Sequence, residues 1–259
     1  MSQKYVIGNW KLNPATLSDA IALATSLNNS KDQGCTVGVV PALVHLSAVK
    51  NALADGIILG VQDITHKTAD IGAFTGDVSA CQVAKMGAGF TLIGHSERRQ
   101  HHGETEEILS AKINHALTCG LSVIYCIGES QDEHERGETF RTLKNQLTVL
   151  ESFAQSSTRT DSTDIAKFII AYEPVWAIGT GLTPTPDDIE KTHRFIKDEL
   201  SAFGMTAPIL YGGSVNDKNA PQFAKSELID GVLVGGASLK SEHFNAIIDA
   251  FANPSNPSK

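Results

Sequence analysis

The chain has 259 residues, four cysteines and a formal net charge of −8. A chain of this length buries roughly three quarters of its unfolded surface, so it needs neither disulfides nor a metal to hold a core, and one α/β barrel or two smaller domains would both fit. The acidic balance excludes a general nucleic-acid or anionic-membrane binder, although backbone N–H groups and one lysine can still form a local anion site.

Short apolar runs recur along the chain, at residues 5–10, 36–40, 57–61, 90–94, 121–127, 167–172, 208–211 and 231–234. They are rich in Val and Ile and lack polar alternation, as expected of parallel strands covered on both faces. Helical spacing lies between them. Residues 105–117 carry Ile108, Leu109, Ile113 and Leu117; residues 186–203 carry Ile189, Ile196, Leu200 and Phe203; residues 238–251 carry Leu239, Phe244, Ile247, Ile248 and Phe251. Eight such strands, each followed by a helix, predict a (β/α)8 barrel. An open doubly wound sheet is the alternative, and the lack of GxGxxG after the first strand weighs against its nucleotide-binding form.

The polar stretch 152–164 reads as a surface elaboration, and the tail 253–259, with two prolines, as frayed. Cys35, Cys81, Cys119 and Cys126 show neither CxxC pairing nor zinc spacing, and read as reduced thiols of a cytosolic protein. His101, His102 and His134 form no ligand-spaced cluster, so no metal is expected. The N-terminus has no secretory pattern, and no stretch has the length and apolarity of a membrane span.

In such a barrel, chemistry sits at the C-terminal ends of the strands. There the first strand ends in Asn9-Trp10-Lys11, the fourth in Gly94-His95-Ser96-Glu97-Arg98, the sixth in Glu173, the seventh in Gly212-Gly213-Ser214 and the eighth in Gly235-Gly236. Taken singly, each has a plain reading: a loop acid, one of nine histidines, a solvated lysine, glycine turns. Their convergence on one rim does not. Residues 174–181, PVWAIGTG, follow Glu173 like a hinged cover.

The segments GNWKLN (8–13), GAFTGDVS (72–79), IGHSERR (93–99), CIGE (126–129), AYEPVWAIGTG (171–181), YGGSV (211–215) and VGGASL (234–239) carry a resemblance to the triosephosphate isomerase family, in register from residue 5 to about 250. The resemblance implies one TIM-barrel domain over residues 1–259. It implies interconversion of dihydroxyacetone phosphate and glyceraldehyde 3-phosphate through an enediolate, in the cytoplasm, with no cofactor. Glu173 would be the base, His95 the electrophile, Lys11 and Asn9 the neighbours of the developing oxyanion, and Glu97 a proton shuttle or a holder of Lys11. Gly179, Ser214, Gly235 and Gly236, with Asn9 and Lys11, would bind the substrate and its phosphate. A helix starting near Ala237 would add its N-terminal partial charge. Pro174, Val175, Trp176, Ala177, Ile178, Gly179 and Thr180 would be the lid.

The resemblance also implies a homodimer, with loop 72–78 inserted into the partner and Thr75 at its tip. Thr75, Asp77, Arg98 and Glu104 would lie at that interface. Two positions depart from the commonest family pattern: Asp77 stands where Glu is usual, facing a cross-interface pair with Arg98, and Asp63 follows Gln62 where Asn is common. Two competing readings are a Schiff-base aldolase built on Lys11 and a non-catalytic phosphate-binding barrel.

Overall fold

A computed structural model of the protein describes residues 3–27, 34–156, 167–178 and 184–254. Eight parallel strands close into a barrel in the order β1 to β8. They are β1 (Lys4–Asn9), β2 (Cys35–Val40), β3 (Ile58–Val61), β4 (Phe90–Ile93), β5 (Ser122–Ile127), β6 (Phe168–Tyr172), β7 (Ile209–Tyr211) and β8 (Gly231–Val234). Closure is made by β1 against β8, with Tyr5 opposite Gly231 and Gly8 opposite Val234. The open-sheet alternative is therefore excluded. The helices among the described residues are α1 (Leu17–Thr25), α2 (Leu46–Ala52), α3 (Ala80–Lys85), α4 (Ser96–His102), α5 (Glu106–Thr118), α6 (Gln131–Glu135), α7 (Thr139–Leu147), α8 (Pro186–Ala202), α9 (Ala220–Ala224) and α10 (Ser241–Ala252).

Period-two alternation within each strand divides the apolar residues between two cores. Tyr5 and Ile7, Phe90 and Leu92, Ile124 and Cys126, and Ile169 and Ala171 fill the barrel. Val6, Ile93, Val123, Tyr125 and Ile170 face outward to the helices, where Leu109, Ile113, Ile196 and Phe244 meet them. Both faces are apolar, which is why the strands read as unbroken hydrophobic runs. Phe90 is fully buried, and a Cβ on Gly38 would lie only 2.9 Å from its ring. The glycine makes the space, and truncating Phe90 to alanine would cost ~3–5 kcal/mol.

The helix expected from residue 105 starts one residue later because a cap intervenes, and the helix expected from residue 186 starts there. Thr105 is the N-cap of α5 rather than its first residue; its side chain accepts from the Ile108 N–H. Thr185 caps α8, with Pro186 in the first turn and Asp187 and Asp188 beside the positive end of the helix. The expected helix over 238–251 is two pieces. A 3-10 turn, Gly236–Leu239, precedes α10, and Lys240 between them is extended at φ −125°, ψ 112°. The Ser238 hydroxyl donates back to the Gly235 carbonyl at 2.7 Å, closing the turn on itself. The N–H groups near Ala237 thus belong to a short turn and not to a continuous helix.

The polar stretch begins inside a 3-10 segment, Thr148–Ser156; its remainder, residues 157–164, lies outside the described residues, as do residues 255–259 of the tail. The reading of all four cysteines as free thiols is corrected. Cys81 on α3 is disulfide-bonded to Cys119 at the end of α5, with 5.0 Å between their Cα atoms. The two are 38 residues apart, and only the docking of one helix end on another brings them together, so no local spacing announces the pair. Cys35 and Cys126 are buried thiols. Among the described residues, no helix is long and apolar enough to cross a membrane.

Candidate active site

The strand parity that fills the barrel continues past the strand ends. Asn9, two residues after Ile7, and Glu173, two after Ala171, therefore point into its mouth. Both are buried, at 4% and 2% exposure. With Lys11, His95, Ile178, Ser214, Gly235 and Gly236 they line one cavity of about 300 Å³, the lower end of the range for small-molecule sites.

His95 occupies the N-cap of α4. Its Nδ1 accepts from the Glu97 N–H at 3.2 Å. A nitrogen that accepts carries no proton, so the neutral ring holds its proton on Nε2. That Nε2 lies 3.1 Å from Glu173 Oε1, while the Ser96 N–H donates to Glu173 Oε2 at 3.0 Å. Both oxygens of Glu173 are thus engaged at the N-terminus of α4. Ser96 is a contact that sequence reading did not assign, because a backbone N–H has no signature in side-chain identity.

Lys11 has φ 51°, the left-handed region that a non-glycine residue enters at a cost. Two hydrogen bonds hold it there. Its N–H donates to Asn9 Oδ1 at 3.0 Å, and its carbonyl accepts from Gln62 Nε2 at 2.7 Å. Its ammonium donates to Glu97 Oε1 at 2.8 Å. Burial alone would raise the Glu97 carboxyl, but the hydrogen bond and charge of Lys11 outweigh it and hold that group below its ordinary value. Cys126 packs beneath Glu173; burial, and then the neighbouring carboxylate, push its thiol well above the usual range, so it is not a thiolate nucleophile.

The segment after Glu173 is anchored at its first turn. Trp176 Nε1 donates to Glu129 Oε1 at 2.8 Å, Tyr172 OH donates to the same oxygen at 3.2 Å, and the Val175 N–H donates to the Glu129 carbonyl at 3.1 Å. Burial raises the fully buried Glu129 carboxyl, and the Trp176 hydrogen bond is the strongest opposing influence. His134 stacks on the indole at 4.3 Å between ring centres. Glu129 was visible in sequence only as the end of CIGE, an acid at a strand terminus. Further along, Ser214 Oγ donates to the Ala177 carbonyl at 2.7 Å. Ile178 lines the cavity; Gly179 and Thr180 lie outside the described residues.

The four residues expected at a dimer interface divide into two places. Thr75 is exposed, and Asp77 accepts from Thr65 Oγ1 at 2.5 Å. Arg98 Nε sits between Asp63 Oδ2 at 2.8 Å and Glu104 Oε1 at 2.6 Å of its own chain. Lys112 Nζ reaches Asp63 and Glu104, both at 2.5 Å. Asp63 is therefore part of a network that satisfies Arg98 within one chain. Burial raises the Asp63 carboxyl despite Lys112, whereas Lys112 and Arg98 outweigh burial at Glu104 and lower it.

A donor imidazole against a carboxylate, with an ammonium at the same mouth, is equipment for moving a proton next to a carbonyl, and with the closed sheet it defines a (β/α)8-barrel enzyme of the acid–base class. The family model for triosephosphate isomerase matches residues 4–251. The chain is 43% identical to the triosephosphate isomerases of Psychrobacter arcticus and Psychrobacter cryohalolentis, in each case over 98% of this chain and 99% of the relative. It is 39% identical to that of Delftia acidovorans, over 96% of this chain and 99% of the relative. The chain belongs to the triosephosphate isomerase family.

Proposed function

We propose that the chain interconverts dihydroxyacetone phosphate and D-glyceraldehyde 3-phosphate by proton transfer through an enediolate, as a step of glycolysis and gluconeogenesis, and that its whole length acts as one barrel domain. The observation that carries the mechanism is the His95 tautomer, with Nδ1 occupied by the Glu97 N–H and Nε2–H facing the cavity. A neutral imidazole polarises a carbonyl and can exchange its proton with the enediolate oxygen, a point for which this family is itself the standard illustration.

Glu173 takes the proton from the carbon beside the carbonyl. Its oxygens are held by Ser96 and His95 in this structure, so the carboxylate first leaves the Ser96 N–H and turns over the substrate. Lys11 places its charge beside the oxyanion, Asn9 adds a donor, and Glu97 holds Lys11. The phosphate is received by N–H groups of Ser214, Gly235, Gly236 and, with the lid shut, Gly179. Pro174, Val175 and Trp176 form the first hinge, and Thr180 lies at the second. Closure sets Ile178 against Glu173 and excludes water; it also restrains the enediolate from expelling phosphate.

The protein works as a cytoplasmic homodimer. Phe74 and Ile71 stand 41% and 85% exposed on the loop that would enter the partner, with Thr75 between Phe74 and the turn at Gly76, and such apolar exposure on one loop suits burial in a second copy. Asp77, Arg98 and Glu104 flank that contact. The Schiff-base reading gains nothing from the geometry, because an ammonium paired with Glu97 is not a nucleophile.

A coupled assay on glyceraldehyde 3-phosphate, with and without 2-phosphoglycolate, tests the activity. Glu173→Gln keeps the acceptor shape and removes the base; kcat should fall by ~10²–10⁴-fold or more in a folded protein. A kcat close to that of the parent would remove Glu173 from the role.

A further inference from the structure

A second cluster of chemically capable side chains lies outside the barrel mouth. Asp70, Cys81, His115 and Cys119 each offer one ligand atom, and the four atoms all lie within 4.8 Å of one another. His115 and Cys119 are four residues apart at the end of α5 and so share a face of that helix. Cys81 is set by the Ser79–Gln82 capping box at the start of α3, and the Ser79 hydroxyl donates to the Asp70 carbonyl at 3.2 Å. The four residues therefore tie the base of the 65–79 segment to α5.

The imidazole is the independent sign of a ligand. His115 is 2% exposed, its Nδ1 lies 3.4 Å from the Thr65 carbonyl, and its Nε2 is buried with no hydrogen-bond partner among the described residues. An Nδ1–H directed at a backbone carbonyl leaves the lone pair on Nε2, the arrangement usual for a metal-ligating histidine. A buried nitrogen left without a partner costs free energy, and at His115, unlike at His193, three further ligand atoms stand within 4.8 Å of the one the imidazole offers.

We propose that, with the Cys81–Cys119 disulfide reduced, these four side chains bind one divalent cation of borderline softness, Zn²⁺ by ligand type. Two thiolates, one imidazole and one carboxylate make a tetrahedral set, with Zn–S near ~2.3 Å and Zn–N near ~2.0 Å, and the four ligand atoms already lie within 4.8 Å of one another. Disulfide and cation exclude each other, because the bonded sulfurs are not thiolates. A dithiol reductant supplies two electrons and two protons, becomes its own disulfide and leaves two thiols. The cation then displaces both thiol protons. Either state staples the same two elements: covalently in an oxidising medium, through the metal in a reducing one. The site is independent of the reaction at the barrel mouth.

Cobalt is the probe. The full-length protein, reduced with a phosphine and kept anaerobic, is titrated with Co²⁺ and then back-titrated with Zn²⁺. The expected result is one Co²⁺ per chain, with thiolate-to-cobalt charge-transfer and tetrahedral d–d bands that Zn²⁺ abolishes. The oxidised protein and the C81S/C119S variant should show neither band. His115→Gln should lose roughly tenfold or more in chelator-competed affinity, the scale on which even groups supporting a ligand act. Because reduced and oxidised parent protein share one sequence, their comparison stands even if a variant misfolds. Absence of the bands in the reduced parent, or their persistence in the oxidised form, overturns the proposal.

Discussion

His193 sits on α8 with its ring wholly buried; Nδ1 faces the Leu228 carbonyl at 3.1 Å and Nε2 has no hydrogen-bond partner among the described residues. Burial disfavours a charged ring there, and nearby Lys197 adds to this against the Leu228 carbonyl, so its pKa falls from 6.5 to about 3. The unfolded chain binds this proton more readily than the folded one. Stability is therefore fully present above about pH 6.5 and is lost as the pH falls toward 3. Between about pH 8 and pH 5 the neutral folded ring gives up about 1.5 pH units of linkage, or about 2 kcal/mol. Urea unfolding at those two pH values, at one protein concentration, should show the parent losing about 2 kcal/mol more than His193→Gln, whose amide can still donate to Leu228. Equal losses in the two proteins would refute the argument, because the remaining titrating groups are common to both.

Removing the lid tip by deleting residues 177–180 should raise phosphate elimination relative to isomerisation, read as methylglyoxal formed per turnover; an unchanged ratio would mean that the lid does not restrain the enediolate. Lys112→Met should destabilise the fold by ~3–5 kcal/mol, because Asp63 and Glu104 would then share only Arg98 inside a largely buried network. A change within about 1 kcal/mol in urea unfolding would show that water or Arg98 compensates.

The strands were legible because both their faces are buried. Ile169, Ala171 and the rest of the barrel interior, and Ile170 and its outward neighbours, are alike apolar, and eight such runs with helices between leave few architectures. Helix boundaries were legible to about a residue, since Thr105 and Thr185 differ from helix interior only in the role of a hydroxyl. The break at Lys240 was not, because no glycine or proline there marks the Gly236–Leu239 turn off from the helix that follows.

The same division holds at the site. Glu173, His95, Lys11, Asn9 and Ser214 stand in motifs at strand ends, and a strand end in a barrel is an address that chain order specifies. What the chain order leaves open is the state of each group. The proton of His95 is placed by the Glu97 N–H, the resting position of Glu173 by the Ser96 N–H, and the strained backbone of Lys11 by Asn9 and Gln62. The Cys81–Cys119 pair and its neighbours Asp70 and His115 were illegible for a related reason: they come from three separate segments that meet only when α3 docks on α5. Sequence by itself determined the alternation of strands and helices and the residue types at the strand ends, because these rest on periodicity and order along the chain, while closure of the sheet came from the pairing of β1 with β8. Tertiary structure alone decided the contact of Glu173 with Ser96, the pairing of Arg98 with Asp63 and the disulfide, because each depends on groups distant in sequence and within a few ångströms in space.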